Sequence, residues 1–145
     1  MPSVLLVDDD VDALVALQLA FEAHDYEVIL AQDGEAALSQ AARRLPDVIV
    51  TDLEMPYLDG AGLCQRLKCY PSLATVPVVL ISGAVPPSSL SPLWNAFLSK
   101  PVDFWVLAEI IEQLPVRRLG PESQRPRDEV PSRGRCPAHP RKYWV

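Results

Sequence analysis

Histidine and cysteine are scarce in this chain, with two and three residues in a length of 145. Cys64, Cys69 and Cys136 are an odd number, at spacings that fit neither a disulfide framework nor a zinc site. Cys64 and Cys69 stand five apart, so on one helix they point in different directions. All three read as ordinary thiols of a reducing, cytoplasmic setting. His24 and His139 have no partners at ligand spacing, which argues against metal binding or nucleophilic work by either. No apolar run approaches the ~18 residues that a membrane span needs. The N-terminus lacks a basic stretch followed by an apolar one and a cleavage site, so export is not expected. Cationic side chains are few in residues 1–114, where the net charge is −11, while residues 115–145 carry +5. An acidic body argues against direct DNA binding by the domain.

What is present is a regular alternation of apolar runs and helical periods. "SVLLV" is a short, unbroken apolar run and reads as a buried strand. In "VDALVALQLAFEAHDY" Leu14, Leu17 and Phe21 recur at helical spacing, and Asp10 is placed to cap the helix. "EVILA" is a second strand. "DGEAALSQAARRL" is a second helix, capped by Asp33, with Arg43 and Arg44 in its last turn. "DVIVTD" is a third strand, and "LEMPYLDG" a loop broken by Pro56 and Gly60. "AGLCQRLKCY" reads as a third helix, "VPVVLIS" and "AFLSK" as the last strands, and "PVDFWVLAEIIEQL" as the last helix. Between them, "GAVPPSSLSPLWN" carries three prolines and predicts at most a short, degenerate fourth helix over Gly83–Asn95. Five strands alternating with helices, each strand reading as buried on both faces, predict an α/β fold: a doubly wound parallel sheet with helices on both sides.

In such sheets ligands bind beyond the carboxyl ends of the strands. Asp8 and Asp9 follow the first strand, Asp52 ends the third, Ser82 the fourth and Lys100 the fifth. All therefore converge on one edge. Three carboxylates gathered there raise each other's pKa unless a cation is present. Lys100 supplies one charge, and a hard divalent ion with oxygen ligands, Mg²⁺ above all, would supply two. A carboxylate can also attack phosphorus and form an aspartyl phosphate. That reaction needs mainly positioning and charge neutralisation, and the Ser82 hydroxyl could bond a phosphoryl oxygen.

The set "LLVDD", "VIVTDLEMP", "LIS" and "FLSKP", in this order on successive strand ends, resembles the receiver domain of two-component response regulators over residues 2–114. The resemblance implies a flavodoxin-like five-stranded sheet of order 2-1-3-4-5. It makes Asp52 the phosphoacceptor, and Asp8 and Asp9 the acidic pair that holds Mg²⁺. Asp52 and the backbone carbonyl of Glu54 become further metal ligands. Ser82 becomes the switch hydroxyl, Lys100 the ion-pairing lysine and Phe97 the switch aromatic. It implies a histidine kinase or histidine phosphotransfer protein as donor and a downstream protein target reached by protein–protein contact. It leaves homodimerisation open. The domain would be a phosphoacceptor that assists its own phosphorylation and dephosphorylation, not an enzyme acting on a separate substrate.

Two rivals stand beside this reading. One is a receiver-like binding module that works without phosphorylation, kept open by the shortened segment before the last strand. The other is an aspartate-nucleophile phosphatase of the haloacid dehalogenase type, whose D-x-D pattern "DDDVD" superficially offers. Asp10 and Asp12 read as cap and first-turn acids. Trp105 falls on the polar side of the last helix, where it covers neighbouring surface or anchors a partner. Residues 115–145 hold six prolines and seven arginines and read as a basic, disordered tail. With no output domain expected in it, the chain is read as a stand-alone receiver.

Overall fold

The computed structural model describes residues 1–83 and 93–114. The element order is β1 (Ser3–Val7), α1 (Val11–Ala23), β2 (Glu27–Ala31), α2 (Gly34–Arg43), β3 (Val48–Asp52), α3 (Gly60–Leu67), α4 (Pro71–Ala74), β4 (Val78–Ser82), β5 (Ala96–Ser99) and α5 (Phe104–Gln113). All pairings are parallel, and the sheet order is β2-β1-β3-β4-β5, as the resemblance implied.

The two-residue period of the strands divides the core into two layers. Leu5, Val7, Ile29 and Ile49 face α2 and α3, where Ala37, Leu38, Leu63 and Leu67 meet them. Val4, Leu6, Val50, Val79 and Ile81 face the other way, against Leu14 and Phe21 of α1 and Leu107 and Ile111 of α5. β1, β3 and β4 are buried on both faces through these layers. The edge strands depart from that expectation. β2 begins with exposed Glu27, and β5 is half-buried and ends at exposed Ser99, because each has a neighbour on one side only.

The caps follow the chemistry of their residues. Asp10 accepts from the N–H groups of Asp12 and Ala13, Asp33 from Ala36, Asp59 from Gly62 and Asp103 from Trp105. The third helix is shorter than its sequence period suggests. It closes at Leu67, and Pro71 opens a separate single turn, α4. Trp105 is exposed and lies edge-on to His24, ring centroids 4.9 Å apart, so the surface it covers is the end of α1. Cys64 is a free thiol inside the core, where burial pushes its pKa up to about 12. Cys136, the basic tail and most of the Gly83–Asn95 segment, where a degenerate helix is expected, lie outside the described residues.

Candidate functional site

The parallel strands all end at the same edge, and backbone hydrogen bonds fix their ends against one another. Asp8 N–H donates to the Ala31 carbonyl at 3.2 Å, Leu53 N–H to Ile81 at 2.7 Å, and Lys100 N–H to Ser82 at 2.8 Å. The residues at these ends therefore have little positional freedom. Their side chains are among the few buried polar groups of the described residues: Asp8 is 6% exposed, Asp52 5% and Ser82 0%. Asp9 is exposed at the rim, but one carboxylate oxygen from each of Asp8, Asp9 and Asp52 lies within 4.8 Å of the others.

Lys100 reaches this cluster from beyond β5. Its Nζ is 3.3 Å from Asp52 Oδ1 and 3.9 Å from Asp8 Oδ2. One cation thus serves two buried carboxylates. Burial pushes the Asp8 carboxyl up to about 6, against a hydrogen bond from the Asp10 N–H at 2.9 Å, with the Asp52 charge pushing the same way. Burial also raises Asp52, opposed by Lys100. Burial alone would lower Lys100, and the carboxylates of Asp52, Asp8 and Glu54 more than reverse it. Asp52 Oδ1 is buried and, although Lys100 lies close, it makes no hydrogen bond of good geometry. One lysine facing carboxylate oxygens of Asp8, Asp9 and Asp52 within 4.8 Å of one another leaves the cluster more negative than its cation cancels, which fits a further hard cation.

The loop after β3 frames the same site. Leu58 N–H donates to the Pro56 carbonyl at 2.8 Å across Tyr57, whose φ is 70°, so the chain reverses in a γ-turn. Glu54, one turn earlier, sends its carboxylate to Ser82, which donates from Oγ to Oε2 at 2.8 Å. The sequence, which pointed only to the Glu54 backbone carbonyl, gave no sign of this bond. Phe97 is half-buried on β5, in register with Leu80, and three residues before Lys100. It takes no part in the polar cluster.

A second feature that sequence reasoning missed is Gly60, which it read only as a loop breaker. Gly60 opens α3 and is buried, and its N–H donates to the Leu53 carbonyl at 2.8 Å. A Cβ at this position would stand 2.5 Å from the Asp52 carbonyl oxygen and 3.0 Å from Leu53 Cα. Both neighbours are backbone and cannot swing away. The only available signal was a glycine at a first helical position, just after a capping aspartate. Gly60→Ala is therefore expected to displace the β3 end itself, with about 1–3 kcal/mol lost from overpacking. Denaturant melts would measure the loss, and an unchanged midpoint would contradict the close approach.

Residues 4–112 match the response regulator receiver domain family. Response regulator PleD of Caulobacter vibrioides is 37% identical over 133 residues, which cover 88% of this chain and 29% of PleD. The chain thus spans under a third of that relative. Among solved structures, the signal receiver domain of a signal transduction histidine kinase from Syntrophus aciditrophicus is 27% identical, with a TM-score of 0.72. That match covers 84% of this chain and 99% of the other. The chemotaxis protein CheY4 of Vibrio cholerae, 24% identical, shares the fold at a TM-score of 0.72, over 77% of this chain and 97% of its own. Sheet order, strand-end chemistry and family match agree, and the chain belongs to the response regulator receiver domain family, the phosphorylation-controlled signalling modules of two-component systems.

Proposed function

We propose that residues 1–114 form a receiver that accepts a phosphoryl group on Asp52 from the phosphohistidine of a histidine kinase or histidine phosphotransfer protein. Residues 115–145 are a basic segment outside it. An Asp52 carboxylate oxygen attacks phosphorus, the P–N bond breaks, and the electron pair leaves with the donor imidazole. The observation that carries this reading is the burial of Asp52 with Lys100 Nζ 3.3 Å away and Asp8 alongside. Lys100 holds positive charge where phosphoryl oxygens arrive, and Ser82 offers a hydroxyl on the neighbouring strand end.

Asp8, Asp9, Asp52 and the backbone carbonyl of Glu54 would hold Mg²⁺, a choice supported by the all-oxygen donor set and by a cluster more negative than Lys100 alone cancels. Bound there, the ion supplies further charge neutralisation to the phosphoryl oxygens. Engagement of Ser82 by the new group, together with Phe97 on the adjoining edge strand, then alters affinity for a downstream protein. The receiver assists its own phosphorylation and the later hydrolysis of the acyl phosphate. Among the described residues no helix is long and apolar enough to cross a membrane.

Acetyl phosphate treatment with and without Mg²⁺, read by intact mass, tests the reading. One added phosphoryl group is expected with Mg²⁺ and little without it. No gain in either condition would transfer the chain to the binding modules that use this fold without phosphorylation.

A further inference from the structure

Ser82 has one hydroxyl hydrogen, and in the resting protein it is given to Glu54. The bond is short, 2.8 Å, and its acceptor is a carboxylate oxygen. Ser82 is fully buried, whereas Glu54 reaches in from an exposed loop position. The Glu54 charge is also felt at the reacting centre: it raises the pKa of both Asp52 and Lys100. An anionic oxygen from outside the strand ends therefore already occupies the donor that a phosphoryl oxygen on Asp52 needs.

We propose that Glu54 is a positioning residue that holds the Ser82 hydroxyl in the resting state and must release it before the phosphoryl group can be bound. The inference rests on the reading of Asp52 as phosphoacceptor, and adds a device to it. One hydrogen cannot serve two acceptors at once, so Glu54 and the phosphoryl group compete for it. Glu54 acts as an internal stand-in for the phosphoryl oxygen. It keeps Ser82 turned towards the site, and it sets a threshold that a phosphodonor must overcome. Release also frees the Glu54 side chain, which ties the loop between β3 and α3 to the end of β4. Phosphorylation is thereby coupled to a loop that carries the exposed Tyr57, a side chain available to a partner.

Simple repulsion of an incoming phosphate by the Glu54 charge would also slow phosphorylation. The two mechanisms differ in their need for Ser82. Repulsion works whether or not a hydroxyl is present, while competition for the hydroxyl disappears without it. A double-mutant cycle separates them.

The test is the initial rate of phosphoryl uptake from acetyl phosphate with Mg²⁺, by intact mass, in the wild type, Glu54→Ala, Ser82→Ala and the double variant. Glu54→Ala is expected to raise the rate about tenfold in the protein that keeps Ser82, as loss of one hydrogen bond to a charged acceptor implies. In the Ser82→Ala background the same substitution is expected to leave the rate nearly unchanged. An equal increase in both backgrounds overturns the latch and leaves repulsion. No increase in either background overturns it as well. No uptake by any of the four proteins overturns the phosphoacceptor reading together with the latch, whereas uptake without the predicted ratio removes the latch alone.

Discussion

Asp52→Ala is expected to abolish phosphoryl uptake from acetyl phosphate, leaving no added group by intact mass even with excess Mg²⁺. Asp8→Ala is expected to slow uptake but keep the added group on Asp52, locatable by peptide mapping. The contrast decides between two aspartates that both sit beside Lys100. A nucleophilic carboxylate needs a cation close enough to receive the phosphoryl charge. Asp8 Oδ1 already accepts the Asp10 N–H at 2.9 Å, and Asp8 Oδ2 is 3.9 Å from Lys100. Asp52 lies closer to the lysine, with Oδ1 3.3 Å from Nζ. Geometry thus favours Asp52 as the attacking group and Asp8 as its support. The phosphatase alternative inverts these roles, because there the aspartate after the first strand is the nucleophile. Hydrolysis of free phosphate esters that is lost in Asp8→Ala and kept in Asp52→Ala would establish that alternative instead.

The difference between these aspartates was only partly legible in the sequence. Parallel sheet topology places every strand end on one edge, so Asp8, Asp9, Asp52, Ser82 and Lys100 could be gathered without coordinates. The sequence also placed Asp10 and Asp12 correctly, since Asp10 caps α1 and Asp12 sits in its first turn. What it could not supply were contacts that depend on side-chain rotamers and close approach. The bond from Ser82 to Glu54 depends on where a flexible glutamate swings. The role of Gly60 depends on a distance between two backbone segments seven and eight residues apart. Half-exposure of β2 and β5 follows from the order 2-1-3-4-5, which puts both at the edges, and not from their own residues, since an apolar run is the same whether its strand is central or at an edge. The early end of α3 reflects a proline that starts a new turn, where the apolar period alone ran on to Tyr70.

Asp8→Asn is expected to make the metal-free protein more stable near neutral pH, although it damages the site. The Asp8 carboxyl is held at about 6, above its ordinary 3.8, mainly because burial penalises its charged form. Between those values the folded protein binds more protons than the unfolded chain. Stability must then fall as pH rises through that window, and the loss is complete above the folded value. The full cost is about 3 kcal/mol as an upper bound. Asp52 is displaced in the same direction and adds to it. Lys100 does not act in this range: its raised pKa contributes stability that is present below its ordinary 10.5 and lost only as pH passes its folded value. Asparagine cannot ionise, yet its side-chain oxygen can still accept the Asp10 N–H, so substitution removes the charge and keeps the bond. Without divalent ions, Asp8→Asn should melt several °C above wild type at pH 7 and converge with it near pH 4. Taking the difference between the two proteins cancels the titration of the carboxylates outside the cluster, while Asp52 and Lys100, which feel the Asp8 charge, respond to the substitution with it. Millimolar Mg²⁺ should raise the wild-type midpoint and move the variant much less, because binding to the folded state stabilises it in proportion to affinity. A variant that melts below wild type at pH 7 in chelator would show that the Asp8 charge already has sufficient partners in Lys100 and the Asp10 amide. The acidic cluster would then not be the strained, cation-seeking site that its burial implies.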